Sequence, residues 1–144
     1  MRFLILNGPN INMLGIREPE IYGRKTYADL CAAIDAACGD DPHEIFQSNH
    51  EGILVDKIQE AYGKFDAIII NPAAYTHTSI AIHDALLAVG IPVAEVHLTD
   101  ISSREEYRHI SYITPAADVV ITGHGFDGYA EAIEYMKGKY GNED

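Results

Sequence analysis

Five short apolar runs, each followed by a segment of helical character, constrain this chain more than any other feature. The runs are Arg2–Asn7, Glu44–Ser48, Ala67–Asn71, Val93–Leu98 and Val119–Thr122. The expected helices are Tyr27–Cys38, Gly52–Tyr62, Thr78–Ala88, a short one near Arg104–His109, and Tyr129–Tyr140. Gly90 stands just past the third as a stop signal. Ser102 with Glu105, or Ser103 with Glu106, is a possible capping box for the short helix. Strands of bulky apolar residues that alternate with helices imply a parallel sheet covered on both faces.

That pattern predicts a single α/β domain over residues 1–144, a three-layer αβα arrangement around a doubly wound five-stranded parallel sheet. Five strands favour the flavodoxin-like order 2-1-3-4-5, with the switch point between strands one and three. Ligands bind beyond the carboxyl ends of such strands, and the unusual polar residues gather there. Asn7 and Asn10 follow strand one, Asn71 to His77 follow strand three, and Glu95 and His97 close strand four.

One connection is exceptional. Between Asn7-Gly8-Pro9-Asn10, a turn signal, and a helix starting near Thr26 lies a long segment without helical or strand period. It carries Ile11, Met13, Leu14, Ile16 and Ile21 beside Arg17, Tyr22 and Arg24. A loop apolar enough to pack and charged enough to bind reads as an active-site cover.

Charge and cysteines set further limits. The net charge of −12 argues against nucleic acid and anionic membranes as partners. No apolar run approaches membrane-spanning length, and the N-terminus reads as a strand, not a signal peptide. Cys31 and Cys38 lie about 10 Å apart along one helix, too far for a disulfide, and read as core residues in a reducing cytoplasm.

Each candidate group has a bland alternative. A free tyrosine is almost wholly protonated at neutral pH, but a guanidinium such as that of Arg17 favours the phenolate of Tyr22 and makes it a usable base. Alone, Tyr22 reads as a packing residue. Glu95 and His97, at i and i+2, share one face of a strand, where a carboxylate can orient a histidine as a general acid. The alternative is a solvated strand end. Thr76 to Thr78 enter a helix whose amides favour anions, with Asp84 two turns beyond His77 on the same face. Arg104 and Arg108 either reach a ligand or pair with Glu105 or Glu106. Gly123-His124-Gly125-Phe126-Asp127-Gly128 matches a dinucleotide-binding fingerprint but lies on the last strand, so its glycines are assigned to the turn into the last helix. No motif supports a metal or another cofactor, and Lys25, Lys57, Lys64, Lys137 and Lys139 fall on surface or loop positions where none could form a Schiff base at a strand end.

Several motifs together carry a family resemblance. Asn7-Gly8-Pro9-Asn10-Ile11-Asn12-Met13-Leu14-Gly15, Arg17-Glu18-Pro19, Tyr22-Gly23, Thr76-His77-Thr78-Ser79, Glu95-Val96-His97-Leu98, Arg104-Glu105-Glu106-Tyr107-Arg108 and the closing Gly123 to Tyr129 resemble, in order, the signatures of the type II 3-dehydroquinate dehydratases. Ala73 stands where glycine is common in that family, and Thr99-Asp100 where Ser-Asn is common. The resemblance implies dehydration of 3-dehydroquinate to 3-dehydroshikimate in the shikimate pathway, without a cofactor. It implies Tyr22 as the base with Arg17 stabilising its anion, and Asn10 stabilising the enolate through a water. His97 protonates the leaving hydroxyl and Glu95 positions it. Asn71 and the amides of Leu98 and Thr99 hold the substrate carboxylate, and His77 and Arg108 bind ring hydroxyls. Asp84 reaches in from a neighbouring subunit of a homododecamer built from trimers.

Overall fold

A computed structural model describes residues 1–16 and 18–141, with Tyr22 described by its backbone alone. Arg17 and the side chain of Tyr22, the expected base and its partner, lie outside the described residues. The five strands are β1 (Phe3–Asn7), β2 (His43–Gln47), β3 (Ala67–Asn71), β4 (Val93–His97) and β5 (Val119–Thr122). They pair in parallel in the order β2-β1-β3-β4-β5, as the alternation predicts.

The helices are α1 (Pro19–Tyr22), α2 (Tyr27–Cys38), α3 (Glu51–Glu60), α4 (Ile80–Val89) and α5 (Asp127–Tyr140). Alternate residues of each central strand feed opposite faces of the sheet. Phe3, Ile5, Ile69 and Val96 pack with Leu30 and Ile34 of α2 and with Ala132, Ile133 and Met136 of α5. Leu4, Leu6, Ile68 and Ile70 pack with Leu54 and Ile58 of α3 and with Ile82 and Leu86 of α4. Each face is therefore sealed by two helices, and polar chemistry is left to the strand ends.

Helix boundaries follow local chemistry. Thr26 caps α2 in a reciprocal capping box with Asp29. Ser79 accepts the Ile82 amide at the start of α4, and Gly90 ends that helix in the left-handed region. The long early loop holds more regular structure than its sequence suggests, with a 3₁₀ turn at Ile11–Met13 before the single turn of α1.

Three expectations need correction. Residues 104–109 do not form one helix with a serine cap. Two 3₁₀ turns, Ile101–Ser103 and Glu106–Arg108, stand there, because Asp100 captures the Ser102 amide and hydroxyl and folds the chain more tightly. Thr76 and His77 do not open α4 either. They end a 3₁₀ turn, Ala73–His77, and Ser79 takes the cap. His77 and Asp84 thus do not share a helix face. Lys57, expected on the surface, has a side chain only 18% exposed and pairs with Glu44 of β2.

The closing glycines serve the turn, as expected. Gly123 has φ +79° and starts the bend, and a Cβ at Gly128 would meet Val96 Cγ1 at 3.2 Å. The latter contact lets α5 lie close on the sheet.

Candidate active site

The carboxyl ends of β1, β3 and β4 open onto one cleft, lined by Asn10, Asn71, His77, His97, Leu98, Thr99, Arg104 and Arg108 among others. It lies at the switch point, where strand register sets Asn7 beside Asn71. Seven of the expected site residues meet here: Asn10, Asn71, His77, His97, Leu98, Thr99 and Arg108.

Glu95 sits behind His97. It is fully buried, and its Oε2 accepts from His97 Nε2 at 2.5 Å. Burial acts to raise its carboxyl pKa, but the His97 hydrogen bond and charge, with the Thr114 and Ser111 hydroxyls, outweigh burial and hold it below the usual value. Hydrogen bonds from three neighbours favour the ionised form of this buried carboxylate. Its ring partner His97 is 5% exposed and faces the cleft.

His77 is tied differently. Its Nδ1 lies 2.7 Å from the Ile110 carbonyl oxygen, which can only accept, so Nδ1 carries the proton. Burial first, then the positive charges of His97 and Arg108, push its pKa down against the Ile110 bond and Glu95, so the ring is neutral at neutral pH.

The asparagines are held by backbone geometry. Asn10 has φ +70°, and its amide donates to Asn49 Oδ1 at 3.0 Å. Asn71 Oδ1 accepts from the Ala73 amide at 3.1 Å. Ala73 itself has φ +53°, which explains why glycine suits that position.

The arginines pair with Glu105, as one reading expects, and they also face the cleft. Arg104 and Arg108 line the cleft, and both approach Glu105, at 3.7 and 2.9 Å. The Arg108 contact is electrostatic, since its Nε does not meet hydrogen-bond geometry. Arg104 also donates to Thr99 Oγ1 at 3.4 Å.

Asp84 is not in the cleft. It is exposed on α4, between Ile80 and Leu87, each 58% exposed.

Sequence reasoning missed the support behind these groups. Tyr129 is buried and donates to Asn7 Oδ1 at 2.7 Å. Ser111 and Thr114 donate to Glu95. Two hydroxyls three residues apart carry no periodic signal. Only the expectation of a buried Glu95, which must find donors, could have prompted a search for them.

Comparison with known proteins agrees with this architecture. The family model described as dehydroquinase class II matches residues 1–137. A catabolic 3-dehydroquinase of Verticillium alfalfae is 54% identical over 136 residues, covering 93% of this chain and 91% of that protein. A 3-dehydroquinate dehydratase of Geotalea daltonii is 56% identical over 131 residues, covering 90% and 91%. The crystal structure of type II dehydroquinase from Butyrivibrio crossotus superposes with a TM-score of 0.93 at 48% identity, covering 95% of this chain and 97% of that one. With its sheet order, its cleft and its whole-length similarity all pointing the same way, the chain belongs to the class II dehydroquinases.

Proposed function

We propose that this class II dehydroquinase converts 3-dehydroquinate to 3-dehydroshikimate with the residues gathered at the carboxyl ends of its central strands. The observation that carries the assignment is the buried Glu95–His97 pair opening onto a cleft that also holds Asn10, Asn71, His77 and Arg108. A dehydratase of this kind removes a proton beside a ketone, keeps an enolate alive, and protonates a departing hydroxyl. Tyr22, as phenolate beside Arg17, takes the proton. Asn10, through a water, steadies the enolate oxygen by preorganised polarity. His97 gives its proton to the leaving hydroxyl while Glu95 offsets the imidazolium charge. Asn71 and the amides of Leu98 and Thr99 hold the carboxylate, and His77 and Arg108 hold ring hydroxyls. Closure of the segment from Arg17 to Tyr22 excludes water.

The assembly is part of the same proposal. Asp84 lies outside the cleft but on the α4 face that presents Ile80 and Leu87, one stripe at i, i+4 and i+7. Burying that stripe against a second copy brings Asp84 to a neighbour's site, in trimers that pack as a homododecamer. The reaction is placed in the shikimate pathway and in the cytoplasm.

The test is an ultraviolet assay with 3-dehydroquinate that follows the conjugated enone product, with and without chelator. Parent activity that survives chelation, and its near loss in Tyr22→Phe, supports the scheme. A Tyr22→Phe enzyme with near-parent turnover overturns the base assignment. Sedimentation paired with activity tests the assembly, and fully active monomers contradict it.

A further inference from the structure

The segment 110–114 contributes no lining residue to the cleft, yet it touches two of the groups that do chemistry there. Its own attachment is firm: the Tyr112 amide donates to the Thr76 carbonyl at 2.8 Å, and His83 Nδ1 of α4 donates to the Tyr112 carbonyl at 2.8 Å. Ile110 holds His77, while Ser111 and Thr114 hold Glu95.

The Ser111 hydroxyl has a fixed direction. Ser111 Oγ accepts from the amides of Ile113 and Thr114, both at 3.1 Å. A hydroxyl has two acceptor sites and one proton, so the Ser111 proton goes to Glu95 Oε2, at 2.8 Å. Thr114 Oγ1 lies 2.7 Å from Oε1, and His97 Nε2 shares Oε2 with Ser111. Three groups thus donate to the ionised carboxylate, whereas a protonated Glu95 would have to turn the Thr114 hydroxyl round or reverse its bond with His97.

We propose that Ser111 and Thr114 are positioning residues which clamp Glu95 in its ionised form and so fix the ring of His97 for proton transfer. The inference rests on the reading of Glu95 and His97 given above. Among the described residues, two charged or titratable groups face this carboxylate from the elements around it: His97 on its own strand, and His77, which feels both His97 and Glu95. Neither can substitute for a lost hydroxyl, because His97 already donates and His77 is committed to Ile110. Burial opposes the charge of Glu95, and the donors prevail over it. With one donor removed, burial gains, and protonation of Glu95 begins at higher pH.

Thr114→Val removes the hydroxyl at nearly constant volume, and Thr114→Ser keeps it. The experiment measures kcat and KM for 3-dehydroquinate against pH in the parent, both Thr114 variants, Ser111→Ala and Glu95→Gln, with circular dichroism and thermal melting beside each. In Thr114→Val, kcat falls about tenfold at neutral pH with little change in KM. The acid limb of the profile moves up by about one pH unit. Thr114→Ser restores both. In a Glu95→Gln background, Thr114→Val adds no further shift of the acid limb. Ser111→Ala is read in the same assay, so the test does not hang on the folding of one variant. An impaired Glu95→Gln beside Thr114→Val and Ser111→Ala enzymes with the parent pH profile overturns the clamp and leaves the site reading intact. A Glu95→Gln enzyme with parent turnover overturns both.

Discussion

Gly8 sits so close to Pro72 that a Cβ in its place would lie 2.4 Å from the Pro72 carbonyl oxygen. The Gly8 amide donates to the Asn71 carbonyl at 2.8 Å, so the chain leaving β1 is pressed onto the chain leaving β3. The obstacle is backbone, which cannot rotate away. Gly8→Ala should therefore destabilise the protein by about 1–3 kcal/mol, the usual cost of overpacking. It should also cut activity, because Asn10 and Asn71 flank the contact. A melting temperature and turnover equal to the parent's would contradict this.

Ala73 is the opposite case. Its φ of +53° places a side chain where glycine rests without strain. Ala73→Gly relieves that strain but gives the unfolded chain more freedom, so the net gain should be small, up to about 1 kcal/mol. Denaturant melts read this directly. A clear loss of stability would mean the methyl group packs better than its backbone suffers.

His97→Ala should retain substrate binding and lose turnover by about 10²–10⁴-fold, the range for a general acid. Calorimetric titration with a substrate analogue and the ultraviolet assay separate the two. Turnover within a few-fold of the parent would remove His97 from the mechanism.

Tyr129→Phe deletes one oxygen and strands another. Asn7 Oδ1, fully buried, loses the donor at 2.7 Å. An unsatisfied buried acceptor costs about 1–3 kcal/mol, so the urea midpoint should fall with the m-value unchanged. An unchanged midpoint would show that Asn7 finds another donor.

Away from the cleft, His43 offers a pH prediction. Its pKa is raised by the hydrogen bond to Asp35 at 2.7 Å and by the Asp41 carbonyl. A raised pKa means that folding favours the protonated ring. The stabilisation is therefore complete below the ordinary histidine value of about 6.5 and is lost as pH rises through the higher folded value. Asp35 is 62% exposed, so the contribution stays within about 1 kcal/mol. Melts of the parent and Asp35→Asn should differ most near pH 5.5 and converge at alkaline pH. A difference that grows with pH would reverse the argument.

Much of this was legible from sequence, for reasons particular residues make plain. Phe3 to Asn7 and Ala67 to Asn71 are buried along their whole length, so a continuous apolar run marked each strand. Glu95 and His97 were found because a period of two puts them on one face. The start of α4 falls later than expected because Thr76, Thr78 and Ser79 are all competent caps, and of these Ser79 takes the Ile82 amide. The helix expected near 104–109 shrinks to one 3₁₀ turn, Glu106–Arg108, because Asp100 holds the Ser102 amide just before it and its bond is local. The supports of Glu95 lie 16 and 19 residues further along the chain, a distance that no window of periodicity spans.

The tether between His77 and Ile110 carries a lesson for inhibitor chemistry. With Nδ1 spent on a carbonyl oxygen and the ring held neutral, what remains for a visitor is the lone pair on Nε2. If His77 holds a ring hydroxyl as proposed, an inhibitor that brings an O–H or N–H to that nitrogen gains a hydrogen bond. An ether or a fluorine at the same place would meet a second acceptor and gain none.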